Sequence, residues 1–328
     1  MLPMVKADAY GLGAVRVAQA LLSLDPWGFG VATCEEGEEL RAARIEKPIL
    51  VCSPLLPSQF DAARRAKLRP VLGDRASIER WSSTREPWHL MIDTGMNRAG
   101  VQWRDVESIR DAVAVHPPEG ACTHFHSSQL PNGSRQEQEG RFESALGKLH
   151  SRPKLLHADN SGAIEHRSPS PYQLARPGIF LYGVSSGHNA SIEPEPVVAM
   201  RGRVVETRVV RDGDTVGYDA SWKAPRHGRI ATVSLGYADG YRRGLGNKAC
   251  ALLDGYRVPV VGFVTMDMVM LDVTDRPCEP GAVVTLIGRD GAELLKVSDV
   301  AAFAGFSPYE ILTGLRGRLP RVYQGANS

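Results

Sequence analysis

The sequence lacks several features that would place it in a specialised class of protein. Its 328 residues include only five scattered cysteines, and no two of them form the CxxC pair of a zinc site or redox motif. An odd number of cysteines also argues against a framework of disulfide bonds. The net charge is only +2, so the chain has no excess of positive charge with which to bind a nucleic acid or an anionic membrane.

Long apolar runs are missing as well. No segment approaches the roughly 20 apolar residues that a membrane-spanning helix needs, and the opening MLPMVKADAY is too polar for the core of a signal peptide. The hydrophobic fraction of 43% and the charged fraction of 23% are those of an ordinary globular protein. These absences predict a reduced, soluble, cytoplasmic protein with room for two domains.

The first part of the chain, up to about residue 190, combines eight short apolar runs with amphipathic helical patterns between them. This alternation is typical of a parallel α/β architecture. Eight units suit a closed (β/α)8 barrel of the TIM type, and no GxGxxG follows the first run to favour a doubly wound sheet. The predicted strands are 2–6, 27–32, 48–53, 69–72, 89–93, 120–125, 153–158 and 175–183.

The second part is predicted to be a mainly antiparallel β domain. After the polar, proline-containing segment 188–197 the apolar period becomes two, and Asp-Gly pairs supply the positive φ of tight hairpin turns. These pairs stand at 212–213, 254–255 and 290–291. A short helix is expected over 297–305. The pattern therefore predicts a barrel domain over 1–192 and a β domain over 193–328.

Lys6 is the first residue whose position suggests chemistry. It follows the first predicted strand in VKADAYGLG, and the catalytic groups of barrel enzymes lie at the C-terminal ends of their strands. A single lysine is more often a solvated surface residue, but Val5 and Ala7 flank this one with apolar side chains. Partial burial makes a lysine amine nucleophilic and able to form a Schiff base.

VKADAYGLG resembles the pyridoxal-phosphate lysine motif of the alanine racemases, fold-type III enzymes with an N-terminal barrel and a C-terminal β domain. Seven further segments resemble the family's motifs, in the family's order and over nearly the whole chain. They are IDTGMNRAG (92–100), THF (123–125), HADNSG (157–162), RPGIFLYG (176–183), SLGYADGY (234–241), TMDMVMLDV (265–273) and SPYEILTGLRGRLPRVY (307–323). The resemblance implies a pyridoxal 5'-phosphate enzyme that interconverts L- and D-alanine and supplies D-alanine for peptidoglycan synthesis.

The resemblance also implies two acid–base residues on opposite faces of the substrate's Cα. Lys6 would bind the cofactor covalently and act as one base, and Tyr237 would act as the other. A tyrosine with the ordinary pKa of about 10 needs help to act as a base. Arg98 would steady the substrate carboxylate, and Met266 and Asp267 would offer it backbone amides. Tyr237, Met266 and Asp267 act across subunits in the family, which implies a head-to-tail homodimer with shared sites.

Further residues that match the family would hold the cofactor. Arg176 would donate a hydrogen bond to the pyridine nitrogen. Because arginine stays protonated, that nitrogen would be an unprotonated acceptor. The resulting weaker electron sink favours reprotonation at Cα over transamination. His124 would pack against the pyridine ring. The implied phosphate cradle, after the last barrel strands, is formed by Tyr10, Ser161, Tyr309 and the backbone amides of Gly178 and Ile179. Asn160, also implied to bind the cofactor, lies beside the phosphate serine.

Several positions depart from the family's pattern. Met91 stands where many relatives have a carbamylated lysine that braces the arginine corresponding to Arg98, so that brace is absent. In the substrate corridor, Gln129 replaces the usual aspartate and Phe263 the usual arginine. The helix that normally precedes the lysine strand is expected to be missing, because Lys6 is nearly terminal. A corridor of altered charge and width would shift or broaden substrate preference.

These departures leave alternatives to alanine racemisation. The nearest is a racemase of serine or of broad amino-acid specificity. A fold-type III decarboxylase is disfavoured because its catalytic cysteine segment is missing from the β domain. A non-catalytic pyridoxal-phosphate-binding protein is disfavoured because Lys6 and Tyr237 are both present. No metal site is predicted.

Overall fold

A computed structural model gives the coordinates of the chain, which divides into two compact units. The first unit comprises Met1–Leu181 and Ser185–Pro194, and the second comprises Tyr182–Val184 and Glu195–Ser328. The residues described are 1–166, 169–187, 190–315 and 317–325. Within these ranges no helix is long and apolar enough to cross a membrane.

The first unit alternates short strands with helices. Its strands are apolar runs buried on both faces, as expected of a parallel sheet covered by helices. The strands are β1 Phe29–Val31, β2 Ile49–Val51, β3 Arg69–Leu72, β4 His89–Asp93, β5 Val101–Gln102, β6 Gly120–Cys122 and β7 Leu155–His157. The helices are Ala14–Leu21, Cys34–Ala42, Phe60–Arg65, Arg75–Ser82, Arg110–Val115, Ser134–Leu146 and Ser161–His166.

The strands of this unit form one parallel sheet. Its order is β1, β2, β3, β4, β6, β7, and β5 pairs with the end of β4. Neighbouring strands in the sheet follow one another along the chain. Each connection therefore returns the chain to the end of the sheet at which the next parallel strand begins. The prediction of a parallel α/β architecture is confirmed, although the strand ladder itself does not close into a ring.

The prediction of strands over 2–6 and 175–183 is wrong in one respect, because neither segment forms a continuous strand of the sheet. Each has one residue in an isolated parallel bridge, Met4 with Gly30 and Arg176 with Asn160, instead of a run of paired residues. A proline inside each segment, Pro3 or Pro177, lacks the N–H that a ladder needs. The second segment then turns into the 3₁₀ helix Ile179–Tyr182.

Lys6 begins a left-handed turn, where the sequence had predicted the end of a strand. The four residues from Ala7 to Tyr10 have φ between 52° and 56°, a region that costs a non-glycine residue about 1–2 kcal/mol. Polar contacts hold the strained backbone. Asp8 Oδ1 accepts from the first N–H of the next helix at 2.8 Å, and the carboxylate of Glu36 accepts from the Ala7 amide at 2.6 Å.

The second unit is mainly antiparallel, as predicted. Its strands are β8 Met200–Val210, β9 Thr215–Val216, β10 Trp222–Lys223, β11 Gly228–Val233, β12 Cys250–Leu253, β13 Tyr256–Pro259, β14 Val269–Asp272, β15 Val283–Asp290 and β16 Glu293–Leu295. The main sheet has the order β13, β12, β15, β8, β11, β14, with β16 paired to β15, while β9 and β10 form a separate pair. Two helices, Val297–Ala304 and Pro308–Thr313, follow them.

One predicted turn of this unit is confirmed in detail. Leu253 at the end of β12 pairs with Tyr256 at the start of β13, so the hairpin loop consists of Asp254 and Gly255 alone. Their φ angles are 50° and 79°. Two consecutive positive φ values define the type I′ turn that suits the twist of a hairpin, and this explains the Asp-Gly pair.

We expect Gly255→Ala to destabilise the chain by about 1 kcal/mol, because alanine strains at positive φ. Gly140 offers a matched control: it lies exposed inside the helix Ser134–Leu146 with nothing near the Cβ position. Gly140→Ala should stabilise by about 0.5–1 kcal/mol. Urea denaturation followed by circular dichroism measures both, and two shifts of the same sign would contradict the turn assignment.

Candidate active site

Arg176 lies in the interior of the first unit, with 7% of its surface exposed. One terminal nitrogen donates to His157 Nδ1 at 2.7 Å and to the His157 carbonyl. The other donates to the carbonyl oxygens of Thr123 at 2.7 Å and Ala158 at 3.1 Å. The Nε–H of this guanidinium donates no hydrogen bond to any of the described residues. The protein therefore fixes the group in place and leaves one N–H for a ligand.

His124 lies beside this guanidinium, with its Nδ1 3.4 Å from an Arg176 nitrogen. Burial, followed by the charges of Arg176, Arg98 and Lys6, lowers the pKa of His124 to about 3. The ring is therefore neutral at physiological pH. Three cationic side chains around one neutral ring give this region a positive potential, which suits an anionic ligand.

Hydroxyl groups and backbone amides of the predicted phosphate cradle lie together. Ser161 Oγ accepts from the Gly178 amide at 2.9 Å and from the Phe180 amide at 3.3 Å. A Cβ on Gly178 would lie only 2.5 Å from the Tyr10 hydroxyl oxygen, so glycine is what allows the tyrosine to approach. The structure thus brings together Tyr10, Ser161, Gly178 and the adjoining Ile179. Their contact with phosphate stays a prediction.

Asn160 uses its side chain within the protein. Its Oδ1 accepts from Ser128 Oγ at 2.6 Å and from the Ala163 amide at 3.1 Å, and its Nδ2 donates to the Phe125 carbonyl at 3.3 Å. These bonds fix the connection between β7 and the helix Ser161–His166 and thereby place the serine. A direct role for Asn160 toward the cofactor stays a prediction.

Lys6 is half-buried, and Arg98 is exposed on the loop after β4. Across the ranges that the structure covers, Arg98 has no hydrogen bond or ion pair. Met91, at the position of the family's carbamylated lysine, lies 3.5 Å from the sulfur of Cys122. The apolar cluster around these two sulfurs includes Leu2, Leu50 and Val71. None of the side chains described in this cluster is a carboxylate or carbamate that could replace the brace.

In the second unit, Tyr237, Met266 and Asp267 stand on two neighbouring loops. The Tyr237 amide donates to the Thr265 carbonyl at 2.9 Å, and the Ala238 amide donates to the Met266 carbonyl at 3.0 Å. These bonds join the two loops. The side chains of Tyr237 and Met266 are 39% and 54% exposed, so both are available to a ligand or to another chain.

Arg318 forms hydrogen bonds with both loops, a contact that was not predicted from the sequence. Its guanidinium donates two hydrogen bonds of 2.6 Å to the buried Asp239 and one of 2.5 Å to Asp267. Asp239 also accepts from the Gly236 amide at 2.8 Å. The hydrogen bond from Arg318 is the main cause that lowers the pKa of Asp239. The arginine and Asp239 are 79 positions apart, so no local spacing could have revealed their contact.

Tyr309, the remaining predicted phosphate ligand, belongs to the helix Pro308–Thr313 of the second unit and is 45% exposed. Its amide donates to the hydroxyl of Ser307, which caps that helix, at 3.3 Å. Its place at the phosphate stays a prediction. Nowhere in the described part of the chain do three or more His, Cys, Asp or Glu side chains form a group that could hold a metal ion.

Two family models match the chain, in the same order as the two units. Residues 1–186 match the alanine racemase N-terminal domain, and residues 197–323 match the alanine racemase C-terminal domain. The two units of the chain therefore correspond, in order, to the two domains of one family of enzymes. The chain belongs to the alanine racemase family.

Individual proteins show the same similarity. An alanine racemase of Sorangium cellulosum is 35% identical over 342 residues, which cover 98% of this chain and 90% of that protein. The crystal structure of alanine racemase from E. faecalis has a TM-score of 0.92 at 29% identity and covers 98% of this chain and 91% of its own. That of Bartonella henselae alanine racemase with covalently bound pyridoxal phosphate has a TM-score of 0.91 at 29% identity, with 98% and 92% covered.

A racemase named for another amino acid shares the fold. The histidine racemase of Leuconostoc mesenteroides has a TM-score of 0.88 at 26% identity and covers 98% of this chain and 90% of its own. Racemases named for two different amino acids thus share this fold.

We expect Asp239→Asn to destabilise the second unit by about 1–3 kcal/mol, because asparagine lacks the charge and the second acceptor oxygen to which Arg318 donates. The lowered pKa of Asp239 means that its contribution is present above the unfolded carboxyl value of about 4 and is lost as pH falls through the lower folded value. Thermal unfolding between about pH 7 and pH 3 should therefore show a smaller loss of stability for the variant than for the wild type.

Asp275→Asn is the matched control, because Asp275 pairs with Arg226 on the surface, where the two side chains are 74% and 60% exposed. Removing such an exposed pair costs little. If both variants lower the melting temperature equally, the Arg318 contact does not stabilise these loops.

Proposed function

We propose that this chain is a pyridoxal 5'-phosphate-dependent alanine racemase that interconverts L- and D-alanine. The observation that carries the proposal is the buried Arg176, whose one unused N–H lies in a positively charged site with Lys6 and His124. Membership of the alanine racemase family and the relatives named alanine racemase support alanine as the substrate.

The residues of the first unit fit pyridoxal phosphate. Arg176 keeps its Nε–H for the ring nitrogen, and the half-buried amine of Lys6 is available to the aldehyde. The Tyr10 and Ser161 hydroxyls lie together for the phosphate, and Gly178 leaves the space that a Cβ would fill. The donor set is suited to an aromatic nitrogen and a phosphate dianion, because every group that would face them donates hydrogen bonds.

Racemisation needs a proton to be removed from one face of Cα and delivered to the other. When bound, pyridoxal phosphate withdraws electrons from the substrate's amine and so makes the Cα–H acidic. Lys6 Nζ would exchange the proton on one face, and the Tyr237 oxygen would exchange it on the other. Arg176 can only donate to the ring nitrogen. This keeps the electron withdrawal modest and favours return of the proton to Cα.

The proposal includes a closed (β/α)8 barrel over 1–192, followed by a β domain over 193–328. Its support is a set of backbone hydrogen bonds between the two segments that the strand ladder leaves out. The Leu2 amide donates to the Ala175 carbonyl at 2.8 Å, and the next bond along the segments, from the Met4 amide, is 2.9 Å. Such bonds are what a first and an eighth barrel strand exchange.

We also propose a cytoplasmic head-to-tail homodimer that supplies D-alanine for peptidoglycan synthesis. In it, Tyr237, Met266 and Asp267 complete the active site of the partner subunit. Support comes from their position on exposed loops that Arg318 holds rigidly. The neighbouring Met268 is also 45% exposed, so Met266 and Met268 together place apolar surface on this loop that a partner subunit would cover.

A racemase of serine or of broad specificity is the second candidate. Arg98 lacks a brace, and the ring of Phe263, where relatives have an arginine, lies 4.1 Å from the guanidinium of Arg243. Gln129 supplies an uncharged amide at the family's aspartate position. The histidine racemase with the same fold supports a substrate range that such changes can alter. A non-catalytic pyridoxal-phosphate-binding protein is the least favoured alternative.

Racemisation in deuterated water tests the proposal and separates the candidates. Deuterium at Cα together with loss of optical rotation is expected for L-alanine, and serine, lysine, arginine and histidine are assayed alongside it. Exchange of alanine alone supports the main proposal, whereas efficient exchange of several amino acids supports the broad-specificity racemase. Absence of exchange on every amino acid, with cofactor bound, would leave only the non-catalytic alternative.

Lys6→Ala should abolish the covalent attachment of pyridoxal phosphate, because it removes the amine that is proposed to bond to the aldehyde. The measurement is visible absorbance, followed by borohydride reduction and mass spectrometry of the labelled peptide. Lys248→Ala, at an exposed lysine of the second unit, should leave the labelled peptide unchanged. A label recovered on another lysine of the Lys6→Ala protein would remove Lys6 from this role.

Mixing two inactive variants tests the shared site. Lys6→Ala and Tyr237→Phe should each abolish or strongly impair racemisation, while Tyr237→Phe retains the cofactor absorbance. In a mixed dimer with sites shared across subunits, one of the two sites regains both residues. Equal amounts dissociated and reassembled together should recover about a quarter of the wild-type activity. No recovery from verified mixed dimers would place Lys6 and Tyr237 in the same subunit's site. Tyr218→Phe, at a side chain that is 70% exposed, serves as the control.

A further inference from the structure

Two histidines that the proposed mechanism does not use lie behind Arg176. His157 and His89 are both fully buried. His157 Nδ1 accepts from Arg176, and its Nε2 lies 2.7 Å from His89 Nδ1. His89 Nε2 faces Glu119 Oε2 at 3.6 Å, and Arg69 Nε donates to the same oxygen at 2.7 Å. We call His157, His89 and Glu119 the histidine relay.

The hydrogen bond from Arg176 favours one position for the proton in each ring of the histidine relay. A guanidinium has no acceptor, so the hydrogen bond from Arg176 forms only when His157 Nδ1 is unprotonated. A neutral His157 therefore carries its proton on Nε2 and donates it to His89 Nδ1. His89 in turn carries its proton on Nε2, which faces the Glu119 carboxylate. The N–H groups of Arg176, His157 and His89 therefore all face toward Glu119, and the last contact, at 3.6 Å, is electrostatic and not a hydrogen bond.

Both rings are neutral, as this arrangement requires. Burial and then the charge of Arg176 lower the pKa of His157 well below its ordinary value. Burial also lowers the pKa of His89, with Arg69 and Arg176 acting in the same direction and Glu119 opposing them. Partial burial opposes ionisation of Glu119, but the facing His89 and Arg69 lower its pKa overall. The far end of the histidine relay is therefore a carboxylate.

The histidine relay crosses the sheet of the first unit. His157 is the last residue of β7 and His89 the first residue of β4, while Glu119 directly precedes β6. Glu119 also lines a cleft of about 630 Å³ whose wall includes Arg152 and Lys154. The chain of contacts therefore begins at Arg176, at the carboxyl ends of the strands, and ends at a partly solvated carboxylate beside their amino ends.

We propose that the histidine relay positions Arg176 for the bound cofactor, with the Glu119 carboxylate selecting the ring tautomers that let His157 accept. This inference rests on the proposed function of the first unit. A neutral amide at position 119 can present its NH₂ to His89 Nε2. Both rings can then reverse, which puts a proton on His157 Nδ1 against the Arg176 N–H. The guanidinium loses one hydrogen bond and is held less firmly.

Glu119→Gln tests the proposal through cofactor affinity. The dissociation constant for pyridoxal phosphate, measured by absorbance titration of the cofactor-free protein, should rise by about 2- to 10-fold, the worth of one hydrogen bond. Glu119→Asp keeps the charge and should stay closer to the wild type. Glu293→Gln is the matched control, because Glu293 forms a comparable ion pair with Arg257 on the surface.

The tautomers themselves give a readout that a merely structural role would not move. In protein labelled with ¹⁵N in its histidines, two rings should show an unprotonated Nδ1 and a protonated Nε2, and Glu119→Gln should change both. This measurement on the wild type needs no variant to fold. A protonated Nδ1 on His157, or an unchanged dissociation constant and spectrum in Glu119→Gln, overturns the proposal. A wild-type chain that does not bind pyridoxal phosphate instead overturns the proposed function.

Discussion

Burying a guanidinium is unfavourable in free energy, and the first unit contains one, Arg176, at the centre of its proposed site. Removing a charge from water costs several kcal/mol even after the protein relaxes, and Arg176 recovers this cost through carbonyl and imidazole acceptors drawn from the ends of β6 and β7. The acceptors sit on the rigid frame of the sheet, so the guanidinium cannot turn freely. These acceptors bind the terminal nitrogens and leave Nε. The network that stabilises the cation therefore also determines which N–H is left to bind a ligand.

A second constraint places the lysine. The left-handed turn after Lys6 costs several residues an unfavourable φ, and such strain persists only where surrounding contacts determine the backbone. Glu36 provides some of these contacts, since its carboxylate accepts hydrogen bonds from the Ala7 amide and from the Ala32 amide. The turn keeps Lys6 half-buried near the neutral ring of His124. Strain and a buried charge are thus concentrated where the cofactor is proposed to bind.

Patterns that depend on neighbouring residues were predictable from the sequence, and long-range contacts were not. The alternation of apolar runs indicated the parallel unit, and the Asp254–Gly255 pair indicated a tight turn, because both are set by local backbone chemistry. The left-handed turn was missed because non-glycine residues adopt it only under tertiary constraint. The contact of Arg318 with Asp239 joins distant segments, and the histidine relay joins three separate strands or strand ends. No spacing along the chain encodes such contacts.

The measurement that tests this account most directly is the ¹⁵N chemical shift of the ring nitrogen in ¹⁵N-labelled pyridoxal phosphate bound to the protein. If Arg176 donates its Nε–H, the nitrogen is an unprotonated acceptor, and its shift stays in the unprotonated range throughout the pH range in which the fold is stable. A pyridinium shift would show that the nitrogen holds its own proton. That result would contradict the role of the buried guanidinium on which the proposed mechanism depends.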